Sequence, residues 1–280
     1  MNEPKYPFPA LTEDASLVDT HCHLDMDDYT PDLDDVLDRA RHQKVDRIVT
    51  IGIDLESSKK AIALARKYPG ISASVGVHPH NLPDATDNCY ADILGLVREN
   101  RDVIVGYGEI GLDYVKNYHP RELQRQHFRL QLDMARSAAL PVIIHDREAH
   151  DDILRILDEN GPLPAGGVMH CFSGDYRLAS TLIDRGLHIS IPGVITFKNA
   201  ASLQEVAKKV PLSSLLLETD GPFLAPHPWR GKRNEPSYVL YTAARVAELR
   251  GISLSSLARA TSENAAALFN LNSPRPQTVS

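Results

Sequence analysis

Six residues whose side chains suit divalent-cation binding stand at the ends of five separate apolar runs. His21 and His23 close the first run, Glu109 the fourth, His145 the fifth, His170 the sixth and Asp220 the eighth. A lone histidine at a strand end is more often a cap or a packed side chain than a ligand. A His-x-His pair says more, because side chains two apart on a strand share a face, here with Asp19 below them and Cys22 turned away toward the helices. Gathering so many imidazoles and carboxylates without a cation would leave buried charge unpaired, at a cost on the order of several kcal/mol. Catalytic zinc normally takes three protein ligands and a water, so four imidazoles and two carboxylates exceed the needs of one ion. They suit two ions roughly 3.5–4 Å apart with a carboxylate between them. Glu109, central in strand order, is the expected bridge. Mixed nitrogen and oxygen donors accept Zn, Mn or Mg.

The elements that must position these groups are short runs rich in Val, Ile and Leu. They fall at 17–24, 47–53, 71–78, 103–110, 141–145, 167–172, 188–191 and 215–219. Each is too short for an ordinary helix, and amphipathic helical patterns at 55–68, 121–139, 151–160 and 202–210 lie between them. About eight strand–helix repeats with continuously apolar strands predict a parallel sheet closed as a TIM-type (β/α)₈ barrel. In that fold all C-terminal strand ends meet at one mouth, which brings the six residues into one small volume. Helices over 237–250 and 254–271 pack last. The 280 residues read as a single barrel domain, with a loose N-terminal extension over 1–15 and a loose tail over 273–280. An open dinucleotide-binding sheet is excluded. The only Gly-x-Gly-x-x-Gly, Gly106 to Gly111, follows the fourth strand, opens no helix and contains Glu109, which would repel a pyrophosphate.

A hydrophobic fraction of 42% with 24% charged residues describes a soluble globular chain. No apolar stretch is long enough to cross a membrane, and the first fifteen residues lack the pattern of a secretory signal. Three cysteines suggest no disulfide framework, and a cytoplasmic location is expected. The net charge of −7 repels polyanions overall, so any nucleic acid must be attracted locally, at a site. The loop after Asp220 offers such a site. It carries Trp229, Arg230, Lys232 and Arg233 among prolines, and cations beside an aromatic platform suit a phosphodiester chain with stackable bases. His78 and His80, ending the third run at the same mouth, could donate to a phosphate. Rival chemistries lack their motifs: there is no Gly-x-Ser-x-Gly elbow and no His-Glu-x-x-His helix. The acids from Asp25 to Asp35 lack calcium-loop spacing.

In this setting the chain resembles the TatD family of metal-dependent deoxyribonucleases. The matching pieces are Asp19-Thr-His21-Cys-His23-Leu-Asp25, Val75-Gly-Val-His78-Pro79-His80, Gly108-Glu109-Ile-Gly-Leu-Asp-Tyr114, Val142-Ile-Ile-His145, His170-Cys-Phe-Ser-Gly174, Leu216-Leu-Glu218-Thr-Asp220 and Arg233-Asn234-Glu235-Pro236. They run in family order from about residue 17 to 271; Val115, where an aromatic is common, and the N-terminal extension depart from the pattern. The resemblance implies a barrel of the amidohydrolase superfamily that cleaves DNA phosphodiesters, often from the 3′ end. It implies His21, His23, Glu109 and Asp220 around one ion, and Glu109, His145 and His170 around the other. Glu218 matches a further acidic position near the site. The expected reaction is hydrolysis by a metal-activated water, with Asp220 positioning the water and accepting its proton and Glu218 or a histidine relaying it. The expected substrate is DNA, single-stranded or at 3′ ends. Alternatives are a small-molecule amidohydrolase or phosphoesterase on the same scaffold, or a barrel that holds metal without turnover.

Overall fold

The computed structural model describes residues 7–83 and 88–271. Eight strands form one parallel sheet in sequential order. They are β1 (Leu17–Cys22), β2 (Val45–Thr50), β3 (Ile71–Val75), β4 (Ile104–Asp113), β5 (Val142–Arg147), β6 (Gly167–Met169), β7 (Leu187–Ile191) and β8 (Leu215–Leu217). Helices α1 (Leu33–His42), α2 (Leu55–Lys67), α3 (Cys89–Glu99), α4 (Arg121–Ala138), α5 (His150–Asn160), α6 (Tyr176–Ile183) and α7 (Ala201–Lys209) alternate with the strands, and α8 (Val239–Arg250) and α9 (Leu254–Leu268) follow the last. Several helices start where a side chain satisfies a first-turn N–H that has no helical partner. The Asp54 carboxylate accepts from Ser57 N at 2.8 Å, Asp175 from Leu178 N at 2.8 Å, and Ser253 Oγ from Ser256 N at 3.1 Å. No helix among the described residues is long and apolar enough to cross a membrane.

The barrel closes through the residues of the candidate site. Cys22 and Gly221 form a parallel bridge, His23 N donates to Gly221 O at 2.7 Å, and Asp220 N donates to His21 O at 2.9 Å. The hydrogen bonds that join β8 to β1 therefore also set Asp220 beside His21. Apolar side chains fill two layers. The larger lies between sheet and helices; the smaller lies inside the barrel and joins Val18, Val49, Ile143, Val168 and Leu216 to Ala265, Phe269 and Leu271.

Register is irregular just below the site on two strands, between Asp19 and Cys22 on β1 and between Tyr107 and Ile110 on β4. Such bulges re-aim side chains next to active sites. Gly111 explains part of the glycine spacing in this region. Its φ is +147°, and a Cβ there would lie 2.0 Å from the His145 carbonyl oxygen, so only glycine lets β4 approach β5 this closely. Strands β3, β6 and β8 stop two to three residues short of the sequence expectation, while β4 runs on to Asp113, paired with Arg147.

Residues 7–15 touch the barrel at three points, although Pro7, Ala10 and residues 12–14 are exposed. Phe8 sets its ring against Tyr241 with centroids 5.1 Å apart, Ala15 is buried, and Asp14 pairs with Arg259 at 2.8 Å. The apolar Phe8 finds a partner surface on α8 that no local pattern announces. Residues 1–6 and the expected tail over 273–280 lie outside the described residues.

Candidate metal centre

Glu109 sits at the middle of the mouth with its two oxygens facing different neighbours. Oε2 lies 3.4 Å from His21 Nε2 and 3.7 Å from His23 Nε2. Asp220 Oδ1 completes that group, 3.7 Å from His21 Nε2 and 3.5 Å from His23 Nε2, and the two imidazole nitrogens are 3.3 Å apart. Oε1 lies 2.8 Å from both His145 Nδ1 and His170 Nε2, which are themselves 3.3 Å apart. One carboxylate thus spans two separate groups of donors.

The spacings test whether the residues fit divalent ions. Around an ion with bonds of about 2.1 Å, donors at a tetrahedral angle stand about 3.4 Å apart. The separations of 3.3–3.7 Å in the first group match that edge length. The donors are lone-pair atoms pointed at one another, with only imidazole protons to share among them, and His21, His23, Glu109 and His170 are at most 5% exposed. The first group fits a divalent cation; in the second, Glu109 Oε1 stands at 2.8 Å, a hydrogen-bond distance, from each imidazole.

His170 and His145 each carry a carboxylate behind the ring. Glu218 Oε1 lies 3.5 Å from His170 Nδ1 and accepts from Cys171 N at 2.6 Å, so Glu218 is fully buried below the site rather than open to the mouth. Asp113 Oδ2 lies 3.4 Å from His145 Nε2 and 2.8 Å from His80 Nε2. Neither nitrogen is hydrogen-bonded in this geometry; a hydrogen bond from it to the carboxylate fixes which nitrogen an imidazole presents to an ion and raises its basicity. Asp113 lies three residues beyond the strand end expected at 110, on a strand that runs to Asp113. Glu109, Gly111 and Asp113 alternate on one face of β4, and that period was the available signal. The His21 and His170 rings stack, with centroids 3.8 Å apart and planes 10° from parallel.

Electrostatics follow from burial and proximity. Burial alone would raise the pKa of Glu109, but the charges of His170 and His78 and the hydrogen bonds of His145 and His170 outweigh it and hold the carboxyl well below its usual range. Burial likewise opposes charge on His170, yet Glu109 and Glu218 drive its pKa well up. Burial pulls His21 down, whereas the hydrogen bond to Asp220 raises His23 against the same burial. Asp19, fully buried beneath, accepts from Thr219 Oγ1 at 2.6 Å and from Thr219 N at 2.9 Å; burial still pushes its pKa up to about 8.

The expected substrate-side residues separate into three kinds. His78 belongs to the cluster itself: Nε2 is 3.5 Å from Glu109 Oε1, and burial drives its pKa well down. His80 is tied to Asp113. The loop after β8 divides. Arg233 is held in a two-pronged pair with Asp32 at 2.7 and 2.8 Å and donates to Asp28 O, while Glu235 takes Arg39 and Asn234 Nδ2 donates to Thr219 O. This half is an anchor. Trp229 stacks on Tyr238 with centroids 5.1 Å apart and planes 4° from parallel, so that face is spent within the protein. Arg230 lies over the Phe197 ring, and Arg230 and Lys232 are exposed. The open aromatic ring of this loop is Phe223, in edge contact with His23 at 6.0 Å.

Known proteins resemble the chain over nearly its whole length. The model of the family described as TatD related DNase matches residues 18–270. A Bacillus subtilis protein named uncharacterized metal-dependent hydrolase YabD is 43% identical over 91% of this chain and 100% of its own length. The Salmonella typhimurium 3′-5′ ssDNA/RNA exonuclease TatD is 33% identical, over 91% of this chain and 99% of its own. The crystal structure of the TatD homolog YJJV from Escherichia coli superposes with a TM-score of 0.86 at 33% identity, covering 91% of this chain and 98% of that one. The chain belongs to the TatD-related DNase family of metal-dependent hydrolases.

Proposed function

We propose that this chain hydrolyses phosphodiester bonds of DNA with two divalent cations, trimming single strands from the 3′ end. The observation that carries the reading is Glu109, whose Oε2 faces His21, His23 and Asp220 while Oε1 faces His145 and His170. In this reading His21, His23, Glu109 and Asp220 hold one ion, and Glu109, His145 and His170 hold the other. Two such cations supply Lewis acidity toward the phosphoryl oxygens and a water made acidic enough to ionise near neutral pH. With the ions bound, Asp220, the most exposed acid of the group, would orient a water and accept its proton. Glu218 and Asp113 stand behind the His170 and His145 rings at 3.5 and 3.4 Å, where they would orient them toward the ions.

Substrate class is supported by the loops around the mouth. Although the net charge is −7, Lys116, Arg147, Lys198, Arg230 and Lys232 are all exposed on segments at the C-terminal ends of β4, β5, β7 and β8. That arrangement gives a local attraction for a polyanion on a repelling molecule. The similar Salmonella protein carries the name of a 3′-5′ ssDNA/RNA exonuclease, which supports polarity and strandedness here. The test is incubation with 5′- and 3′-labelled single- and double-stranded DNA and RNA in Mg, Mn or Zn. A ladder of products shortened from the 3′ end, abolished by chelation, is expected. Hydrolysis of small esters with intact oligonucleotides would overturn the nuclease reading.

A further inference from the structure

Six large hydrophobic residues are exposed among the described residues: Val115, Tyr118, Leu130, Tyr176, Phe223 and Leu224. Four of them fall on just two loops, those after β4 and β8, and both loops border the metal centre. The aromatic pair is placed in parallel fashion. Phe223 meets His23 edge to face at 6.0 Å and 69°, and Tyr118 meets His80 edge to face at 4.8 Å and 71°. His23 stands in the first donor group; His80 stands behind the second, through Asp113 and against His78 at 4.3 Å. Each ring is thus steadied by a histidine on its own side of Glu109, yet 48% of Phe223 and 63% of Tyr118 stays open to solvent. Both rings stand open beside a polar site, where an aromatic face is free to meet a ligand.

We propose that Phe223 and Tyr118 are the base-stacking walls of the site, which select single-stranded nucleic acid. The inference rests on the phosphodiesterase reading above and adds what the bases touch. A phosphodiester seated on the metal pair carries one nucleoside on each side, and an aromatic ring waits on each side. Every base offers a π face, so such walls accept any sequence. In a duplex those faces are covered by neighbouring bases, whereas a free strand can splay its bases onto the rings. Rings with two side-chain torsions, already fixed against histidines, lose little freedom on contact. The exposed cations of the same loops keep to the phosphates. Trp229 has no part in it, being stacked on Tyr238.

The experiment compares kcat/KM of wild type, Phe223→Ala, Tyr118→Ala and the conservative Phe223→Trp and Tyr118→Phe on two single-stranded oligonucleotides of equal length. One carries bases throughout; the other is abasic over its 3′-terminal nucleotides. Wild type should prefer the base-bearing strand. Each Ala variant should lose that preference by roughly 5- to 150-fold, the range for one base–aromatic contact, mainly through KM. The conservative variants should retain it. Wild type that cleaves both strands equally well overturns the stacking walls and leaves the nuclease reading standing, as do Ala variants with the wild-type preference. Wild type that cleaves neither strand overturns the nuclease reading, and the walls fall with it.

Discussion

At the floor of the barrel, α9 and the residues after it send Ala265, Phe269 and Leu271 against Val18, Val49, Ile143 and Leu216. At the mouth the same sheet ends in imidazoles and carboxylates, several of whose atoms, among them Nδ1 of His21 and His23 and Oε2 of Glu218, are buried without a hydrogen-bond partner. The floor also borders a cleft of about 700 Å³, lined among others by Arg47, Arg101, Asp102 and Phe269, yet no cluster of ligating side chains lies there among the described residues. The donors converge at the mouth and not at this cleft. Apolar packing at the floor stabilises the barrel, and the mouth holds polar groups at a cost to stability because their task is elsewhere.

The sharpest way to break the comparison is to change one residue at each pole. Asp220→Asn keeps shape at the mouth and should lower kcat by roughly 10²–10⁴-fold, the range for a positioned proton acceptor, with thermal stability unchanged or raised. Phe269→Ala at the floor should lower stability by about 3–5 kcal/mol in denaturant titration, while the folded fraction turns over normally. Should Asp220→Asn instead unfold the chain, or Phe269→Ala abolish turnover in the folded state, the poles are not separable.

Much of this division was legible in the sequence. Strand order, closure and the convergence of His21, His23, Glu109, His145, His170 and Asp220 follow from where each residue ends its apolar run, because a parallel barrel puts all such ends together. What was hidden depends on partners distant in the chain. Arg233 reads as a free cation until Asp32, 201 residues away, takes it. Trp229 reads as an open platform until Tyr238 covers it, which leaves Phe223 as the exposed ring. Asp113 lies beyond the expected end of its strand, although it keeps the two-residue period of Glu109 and Gly111.

Two smaller effects sharpen the picture within the mouth. Asp113→Asn should weaken metal affinity by about 10–100-fold through a loosened His145, read by competition with a chelator, with little change in fold. An unchanged affinity would make Asp113 a partner of His80 alone. Within the β8 loop, Lys232→Ala should flatten the salt dependence of oligonucleotide KM by about one unit of slope. Arg233→Ala should leave that slope alone and lower stability by about 0.2–1 kcal/mol, as loss of a partly exposed ion pair does. The reverse pattern would return Arg233 to the substrate.

Metal content shows whether Glu109 stands between two cations. Two divalent ions about 3.7 Å apart repel by ~18 kcal/mol at an effective dielectric of ~20, so an anion must stand between them. Elemental analysis of wild type and Glu109→Gln, with circular dichroism on both, is the measurement. Close to two ions per wild-type chain are expected, and loss of at least one in Glu109→Gln, with the barrel folded in each. A Glu109→Gln protein that keeps both ions and near-normal turnover would contradict the bridge.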